Sequence, residues 1–592
     1  MLSITEFNIL NYLRQNTYEN QRKLADYLGV SLGKCNYNLR ALIQEGLVST
    51  DYNLTEAGQK ALAPHRVENA VIMAAGMSQR FAPLSYERPK GLLVVKGEVL
   101  IERQIEQLKE AGINDITLVV GYMKEQFFYL HEKYDVDIVV NEDYYRYNNT
   151  STLILVTERL GNTYICSSDN YFVDNPFEQY VYDAYYSAVF FPGEAQDGEF
   201  GLITDTKDII TGICHEPVDM WCMLGHVYFD KAFSAAFSKI LKAEYEEPST
   251  RSLLWESVYE KHLDKLKMRI RRYDNDKMFE FDSVKELRQF DERYLDSNSS
   301  RIFKNICRIL DCEEDDICNI EVLKKGLTNL SFAFDVFGKR YVYRHPGLGT
   351  EKIINRQSEA FSEEVASRLG LDSTLIYIDK HEGWKISHYI ENAGILDYHN
   401  PAQVEQAIGL MRKLHDAKVK SDFDFDFWQG TLDLIDKTKE SHKDFEDFDT
   451  LRAQIELLYE KTQKDNVPWV LCHCDCYEPN FLIDEEGNMT LIDWEYSGND
   501  DPSSDMGTFI CCSDYTYEEA LWVLELYHGG KPDRKQLRHD LAYIAIASYH
   551  WYIWAIYQES LGNAVGEFLF IWYKYAKEYM KHAMDMYEED EI

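Results

Sequence analysis

The chain has 592 residues and a formal net charge of −39, from 62 Lys plus Arg against 101 Asp plus Glu. At roughly 100–200 residues per domain, that length implies about three to five domains. A hydrophobic content of 45 % excludes a disordered chain, and the acidic balance argues against general nucleic-acid binding or docking on anionic membranes.

The N-terminal MLSITEFNIL lacks a basic region followed by a long apolar run, so no signal peptide is expected. Gln21–Leu28 reads as a short amphipathic helix, Gly29 as the turn, and Ser31 as the N-cap of a second helix running through Glu45. Gly46-Leu-Val opens a strand, and Tyr52-Asn-Leu-Thr-Glu-Ala-Gly closes a small wing. This pattern resembles a winged helix-turn-helix, with Lys34, Asn36, Tyr37, Asn38 and Arg40 on or near its second helix. Glu6, Glu19, Asp26, Glu45, Asp51 and Glu56 offset its cations, so DNA binding and a protein-contact role both stay open.

After Ala63-Pro64-His65-Arg66, an apolar strand runs into the turn Ala74-Ala75-Gly76-Met-Ser78-Gln-Arg80, followed by Pro89-Lys90. Small residues there let backbone amides approach a triphosphate, and Arg80 and Lys90 can offset its charge. Leu100–Ala111 reads as a helix ending at Gly112; Ile116–Val120, Ile138–Val140 and Thr163–Ser167 read as strands. The alternation implies a mostly parallel sheet with helices on both faces. The loop and its surroundings resemble the nucleotidyltransferases that make nucleoside-diphosphate sugars and CDP-alcohols. Their G-x-G-x-R loop has Ser78 here at its second glycine, which puts a Cβ where close approach is wanted.

By that resemblance, Asp169 of Ser168-Asp-Asn and Asp282 of Phe279-Glu-Phe-Asp hold a magnesium ion at the α-phosphate. Ile101–Ile116, Val120-Gly-Tyr-Met-Lys-Glu-Gln-Phe, Asn141 and Tyr147-Asn-Asn149 further resemble the Lic-type bacterial CTP:phosphocholine cytidylyltransferases. Trp255 and Glu256 would then hold a trimethylammonium by cation–π contact and charge, with helix-core packing the alternative for Trp255. The expected chemistry is in-line attack by a substrate phosphate on CTP, with pyrophosphate leaving.

The run Asp291–Ser300 reads as a linker. Beyond it, Phe332–Phe337 and Lys339–Arg344 form a hairpin around Gly338, followed by a helix through Glu359–Leu369 and the strands Thr374–Asp379 and Trp384–Tyr389. The remainder is mainly helical, interrupted by Val470–His473, Asn480–Ile483 and Thr490–Asp493. The apolar stretch Leu541–Tyr557 carries His550 and several tyrosines and is too short for a comfortable membrane span. Twelve cysteines in so long a chain do not make a disulfide framework, and reduced thiols in a cytoplasmic protein are expected. Cys472, Cys474 and Cys476 lack the C-x2-C pairs of a zinc site.

His473-Cys-Asp475-Cys-Tyr-Glu-Pro-Asn480 fits H-x-D-x4-N, and Leu491-Ile-Asp493 follows 13 residues after Asn480. Phosphoryl transfer to a hydroxyl needs a carboxylate beside the acceptor and oxygen ligands for magnesium. Asp475 fits the base; Asn480 and Asp493 fit the metal. Together these resemble the choline and aminoglycoside kinase superfamily. The resemblance sets Gly326, Thr328 and Asn329 near the nucleotide, Arg344 on its phosphates, Glu359 beside Arg344, and Asp505 under the catalytic loop. It also marks Trp551 and Trp554, three apart on one helix face, as the cage for choline, with Tyr496 and Tyr573 as further candidates.

The expectation is a multidomain α/β chain: a winged helix (1–65), a Rossmann-like nucleotidyltransferase (66–292) and a two-lobed protein-kinase-like domain (301–592). The resemblances imply a bifunctional Mg2+-dependent enzyme using choline, phosphocholine, ATP and CTP. The alternatives are a pair acting on another amino-alcohol or a sugar phosphate, and a winged-helix regulator with metabolite-sensing domains.

Overall fold

In the computed structural model, residues 2–78, 81–194, 199–281, 284–291, 300–325, 329–347, 354–438, 445–560 and 565–591 are described. The chain forms two compact units, Met1–Lys304 and Asn305–Ile592. Arg80, Asp282, Gly326 and Thr328 lie outside the described residues, as does most of the expected linker.

The first unit begins with three helices, α1 (Ile4–Gln15), α2 (Gln21–Tyr27) and α3 (Leu32–Gln44). The Ser31 side chain caps α3 by accepting from the Lys34 amide, and the wing is a single bridge between Val48 and Leu54. The module is docked through α1. Phe7 packs on Tyr182, Arg14 lies over the Tyr180 ring and donates to Gln179 at 3.1 Å, and the Tyr182 hydroxyl donates to the Leu2 carbonyl at 2.8 Å.

The rest of this unit is built on a nine-stranded sheet. Its centre is four parallel strands: β1 (Asn69–Ala74) lies between β2 (Asp115–Val120) and β4 (Thr163–Ser167), and β3 (Asp137–Val140) flanks β2. The helix α4 (Leu100–Glu110) crosses from β1 to β2 and buries Ile101, Ile105 and Leu108, the i, i+4, i+7 stripe of an amphipathic helix. The sheet then turns mixed. Antiparallel β9 (Val218–Phe229) joins β4 and pairs with β6 (Tyr185–Glu194), while β10 (Arg269–Tyr273) lies parallel to β6. The short strands β7 (Gly201–Thr204) and β8 (Ile210–Cys214) extend the edge beyond β9. A separate ribbon pairs β5 (Asn170–Phe172) with β11 (Met278–Glu280). It carries the chain directly after Asp169 back to the segment before position 282.

The second unit opens with a five-stranded antiparallel sheet formed by β12 (Cys318–Lys325), β13 (Asn329–Val336), β14 (Lys339–Pro346), β15 (Leu375–Ile378) and β16 (Lys385–His388). Phe337 and Gly338 both have positive φ, the geometry of a two-residue hairpin turn. The helix α5 (Arg356–Leu369) is capped by Asn355 and ends at left-handed Gly370. A helical lobe follows, with α6 (Pro401–Asp416), α7 (Ser503–Cys511), the long α8 (Arg534–Ser560) and α9 (Phe568–Glu591) around a large apolar core. Two short ladders, Phe481–Ile483 with Met489–Leu491 and Val470–Cys472 with Gly498–Asp500, interrupt the helices. Among the described residues, no helix is long and apolar enough to cross a membrane.

Candidate active sites

The end of β1 and the end of β4 frame a cavity of about 100 Å³, lined among others by Ala74, Gly76, Ser78, Lys90, Gly91 and Asp169. Ala75 is buried beside it, and its carbonyl accepts from the Tyr122 amide. A Cβ on Gly76 would meet nothing within 4 Å, so its backbone is open to a ligand. Ser78 has φ +48°, a left-handed conformation that explains the glycine usual in this loop. Lys90 Nζ pairs with Asp169 Oδ2 at 2.8 Å, and Ser167 Oγ donates to Asp169 Oδ1 at 2.5 Å. Burial alone would raise the Asp169 carboxyl; the Lys90 charge and hydrogen bond, with the Ser167 hydroxyl, hold it below the usual range.

A second cluster in this unit surrounds Tyr186. Its hydroxyl donates to Glu256 Oε1 at 3.2 Å, and Asn149 Nδ2 donates to Glu256 Oε2 at 3.3 Å. Burial pushes the Glu256 carboxyl up to about 7. The Tyr186 hydroxyl is raised by burial and then by the charges of Glu256, Glu280 and Glu199. Glu280 in turn accepts from Asn170, the neighbour of Asp169, at 3.1 Å. Trp255 corrects the sequence reading. It is 1 % exposed and its ring is enclosed by Tyr186, Phe229, Phe237 and Tyr259. It is a core residue that supports the Tyr186 ring from behind, stacked at 5.8 Å. Tyr186, Glu280 and Glu199 escaped the sequence reading because no short motif joins positions so far apart.

In the second unit the loop from His473 to Asn480 is fixed by buried hydrogen bonds. Asp505 Oδ2 accepts from the His473 amide at 2.9 Å, and Oδ1 accepts from the Cys474 amide at 2.6 Å. His415 Nε2 lies 3.0 Å from Asp505 Oδ2. Burial alone would raise the Asp505 carboxyl; His415 and the loop amides hold it below the usual range. The Asp475 amide donates to His473 Nδ1 at 3.2 Å, so Nε2 carries the proton donated to the Ile492 carbonyl at 3.0 Å. That bond ties the Asp475 loop to the Asp493 loop. Asn480 Nδ2 donates to the carbonyl and Oδ2 of Asp475, at 2.8 and 3.0 Å.

His415, Cys472 and Asp505 converge within 4.8 Å, but both Asp505 oxygens already accept from the loop, and Cys472 Sγ donates to the Val470 and Asp500 carbonyls. Burial raises the Cys472, Cys474 and Cys476 thiols well above their ordinary value, which suits packing rather than metal binding.

Arg344 Nη2 donates to buried Glu359, and Nη1 reaches Asp493 at 3.4 Å. Burial disfavours the Arg344 charge, but Glu359 and Asp493 outweigh it and keep the guanidinium ionised. Asn329 donates to Glu495 at 2.7 Å. Glu495, two residues past Asp493, was not singled out in the sequence. Burial and then the Asp493 charge push its carboxyl up to about 7. Asp493 and Glu495 are thus two carboxylates near enough to repel each other.

Trp551 and Trp554 lie 5.8 Å apart in an edge-to-face pair, and Trp572 joins both at 6.1 and 6.3 Å. Trp551 Nε1 donates to Thr508 on α7, the helix that carries Asp505. Tyr496 packs edge-on against Phe425, and the charges of Glu495, Asp475 and Asp493 bear on its hydroxyl. Tyr573 is not brought to the tryptophans: its ring packs on Tyr552 and its hydroxyl donates to Asp447 at 2.7 Å. Trp572, its neighbour on the same helix, packs against them instead.

Comparison with known proteins divides the chain in the same order. A winged helix-turn-helix DNA-binding family matches residues 2–49, a MobA-like NTP transferase domain 70–238, and a choline/ethanolamine kinase family 320–539. A choline-phosphate cytidylyltransferase of Streptococcus pneumoniae is 33 % identical over 223 residues, 38 % of this chain and 96 % of the relative. A 2-aminoethylphosphonate cytidylyltransferase of Lancefieldella rimae is 35 % identical over 231 residues, 38 % of this chain and 93 % of the relative. Protein LicA of Haemophilus influenzae is 25 % identical over 256 residues, 41 % of this chain and 94 % of the relative.

Proposed function

We propose that this chain, which belongs through its first unit to the family of the choline-phosphate cytidylyltransferases and carries a choline/ethanolamine kinase domain in its second, performs two consecutive reactions. The kinase makes phosphocholine from choline and ATP. The cytidylyltransferase joins phosphocholine to CTP, giving CDP-choline and pyrophosphate. The observation that carries this reading is the presence of both polar centres in one chain: Asp475 held by Asn480 beside Asp493, and Lys90 paired with Asp169.

In the kinase, Asp475 accepts the proton of the choline hydroxyl as its oxygen attacks the γ-phosphorus in line. Asn480 holds the Asp475 carboxylate in place, and Asp505 holds the loop backbone. The Arg344 fork faces phosphate while Glu359 fixes its direction. Trp551, Trp554 and Trp572 offer π faces to a cation that cannot donate hydrogen bonds. In the cytidylyltransferase, Lys90 and Arg80 neutralise phosphate charge at the Gly76 turn. Glu256 and Tyr186 offer a carboxylate and a ring to the trimethylammonium. Asn480 and Asp493, and Asp169 with Asp282, would hold Mg2+, which when bound screens the phosphates and polarises the phosphorus under attack.

The relative that acts on 2-aminoethylphosphonate suggests a second acceptor. The fused kinase argues against it, because phosphorylating a hydroxyl makes an O–P bond and never the C–P bond of a phosphonate. The winged helix is a second binding module. Its α3 exposes Lys34, Tyr37 and Arg40 and carries no carboxylate, which suits duplex DNA.

Separate assays test the reading: ATP with choline or ethanolamine, and CTP with phosphocholine or 2-aminoethylphosphonate. Phosphocholine formation and its conversion to CDP-choline support it. Turnover of only the alternative acceptors overturns it.

A further inference from the structure

Lys385 and Glu363 form a buried ion pair that the reactions above do not use. Lys385 opens β16, and the strand register sets it opposite Arg344 on β14. Opposed residues of an antiparallel pair share a face of the sheet. Glu359 and Glu363 are four residues apart on α5, hence stacked on one side of that helix. Arg344 donates to one oxygen of Glu359 while Arg356, on α5 itself, donates to the other at 2.9 Å, and Lys385 Nζ lies 2.5 Å from Glu363 Oε1. Both glutamates are fully buried.

The arrangement is costly. A helix–strand contact needs no charges, and an apolar pair of similar volume would stabilise at least as well. Burial disfavours the Lys385 charge; Glu363 restores it, and the charge of Arg344 opposes it. Glu363 feels Lys385 most among its neighbouring charges, but it also feels Arg344. Its Oε2 is buried without a hydrogen-bond partner among the described residues. Burial pushes the Glu363 carboxyl up to about 7 against the pull of Lys385. Left without Lys385 it would take up a proton, and its carbonyl oxygen could then accept from the Arg344 guanidinium, one helical turn from Glu359.

We propose that Lys385 is a positioning residue for phosphoryl transfer: by satisfying Glu363 it leaves Arg344 to Glu359 and Asp493, aimed at the nucleotide phosphates. The proposal rests on the kinase reading of this unit but not on choline as the acceptor.

The test uses the full chain and steady-state phosphorylation of whichever amino-alcohol the wild type accepts, with the KM for that acceptor and thermal unfolding of the second unit as the controls for folding. Lys385→Met should raise the KM for ATP at least about tenfold and leave the KM for the acceptor unchanged. Lys385→Arg, which keeps the charge, should stay within about threefold of wild type. The double variant Lys385→Met with Glu363→Leu removes the competitor as well, and should regain most of the ATP affinity that the single variant loses. Lys385→Gln serves in the same comparison if Lys385→Met does not fold. An ATP constant that does not move, ATP and acceptor constants that rise together, or a double variant as impaired as the single one would overturn the proposal. A wild type that phosphorylates ethanolamine and not choline would refute the acceptor and leave the ATP comparison intact.

Discussion

Lys90 and Asp169 meet at 2.8 Å because the residues next to them, Gly91 and Ser168, are in contact. A Cβ on Gly91 would lie 2.8 Å from both the Cβ and the Oγ of Ser168. The turn after Pro89 and the end of β4 can close on each other only if that position has no side chain. The ion pair at this cavity is thus set by a glycine that carries no chemistry of its own.

Gly91→Ala should therefore wedge Lys90 away from Asp169. Loss of a charge aligned on the transferring group costs on the order of 10²–10³ in rate, and a misplacement should cost at least about tenfold. Cytidylyl transfer from supplied phosphocholine measures it. Kinase activity should be unchanged, and a cytidylyl rate within twofold of wild type would dismiss the close approach as a positioning device.

The two chemistries should be separable by mutation. Asp475→Ala should lower ATP-dependent phosphorylation by about 10²–10⁴, the range of a general base, while CDP-choline synthesis from supplied phosphocholine persists. Asp169→Asn should do the reverse. A folded variant of either kind that loses both activities contradicts the division.

Glu256 gives a pH signature. Burial pushes its carboxyl up to about 7, so below that pH it holds a proton that a trimethylammonium must displace. The KM for phosphocholine should rise as pH falls from 8 to 6, approaching about tenfold per unit at the acid end. Glu256→Gln cannot ionise, so it should raise the KM at pH 8 and flatten the profile. An unchanged slope in the variant would assign the pH dependence to the phosphate of the substrate instead.

At the other cation site, Trp551→Leu or Trp554→Leu keeps much of the volume and removes a π face. The loss is on the order of 0.5–2 kcal/mol, or roughly a three- to thirtyfold rise in the KM for choline. The KM for ATP should stay near wild type, because Arg344 and Asn329 are on the strands of the other lobe. Choline and ATP constants that shift together would make these tryptophans core residues.

The polar centres were legible where chemistry is packed into a short run. His473 to Asn480 and Leu491 to Asp493 name their own partners, because the loop that binds them is local. Arg344 and Glu359 were also legible, since a strand and the next helix meet in a fixed order. What the sequence hid lies in pairings across the fold. Glu363 with Lys385, Asn170 with Glu280, and Trp572 with Trp551 are each brought together by sheet register or helix packing. Trp255 misled for the opposite reason: an aromatic beside a carboxylate reads the same whether its ring faces a ligand or, as here, four aromatic side chains of the core. The central sheet was read from its apolar strands, but the turn to antiparallel pairing at β9 depends on long-range register that alternation alone does not encode.

The central claim is that one chain carries choline through two steps. Phosphorus NMR of the full-length protein with choline, ATP, CTP and Mg2+ follows both in one tube. The account predicts that phosphocholine appears first and then declines as the diphosphate signals of CDP-choline grow, with ADP and pyrophosphate as co-products. ATP consumed with phosphocholine accumulating and no CDP-choline formed, or no choline-dependent loss of ATP, would contradict it.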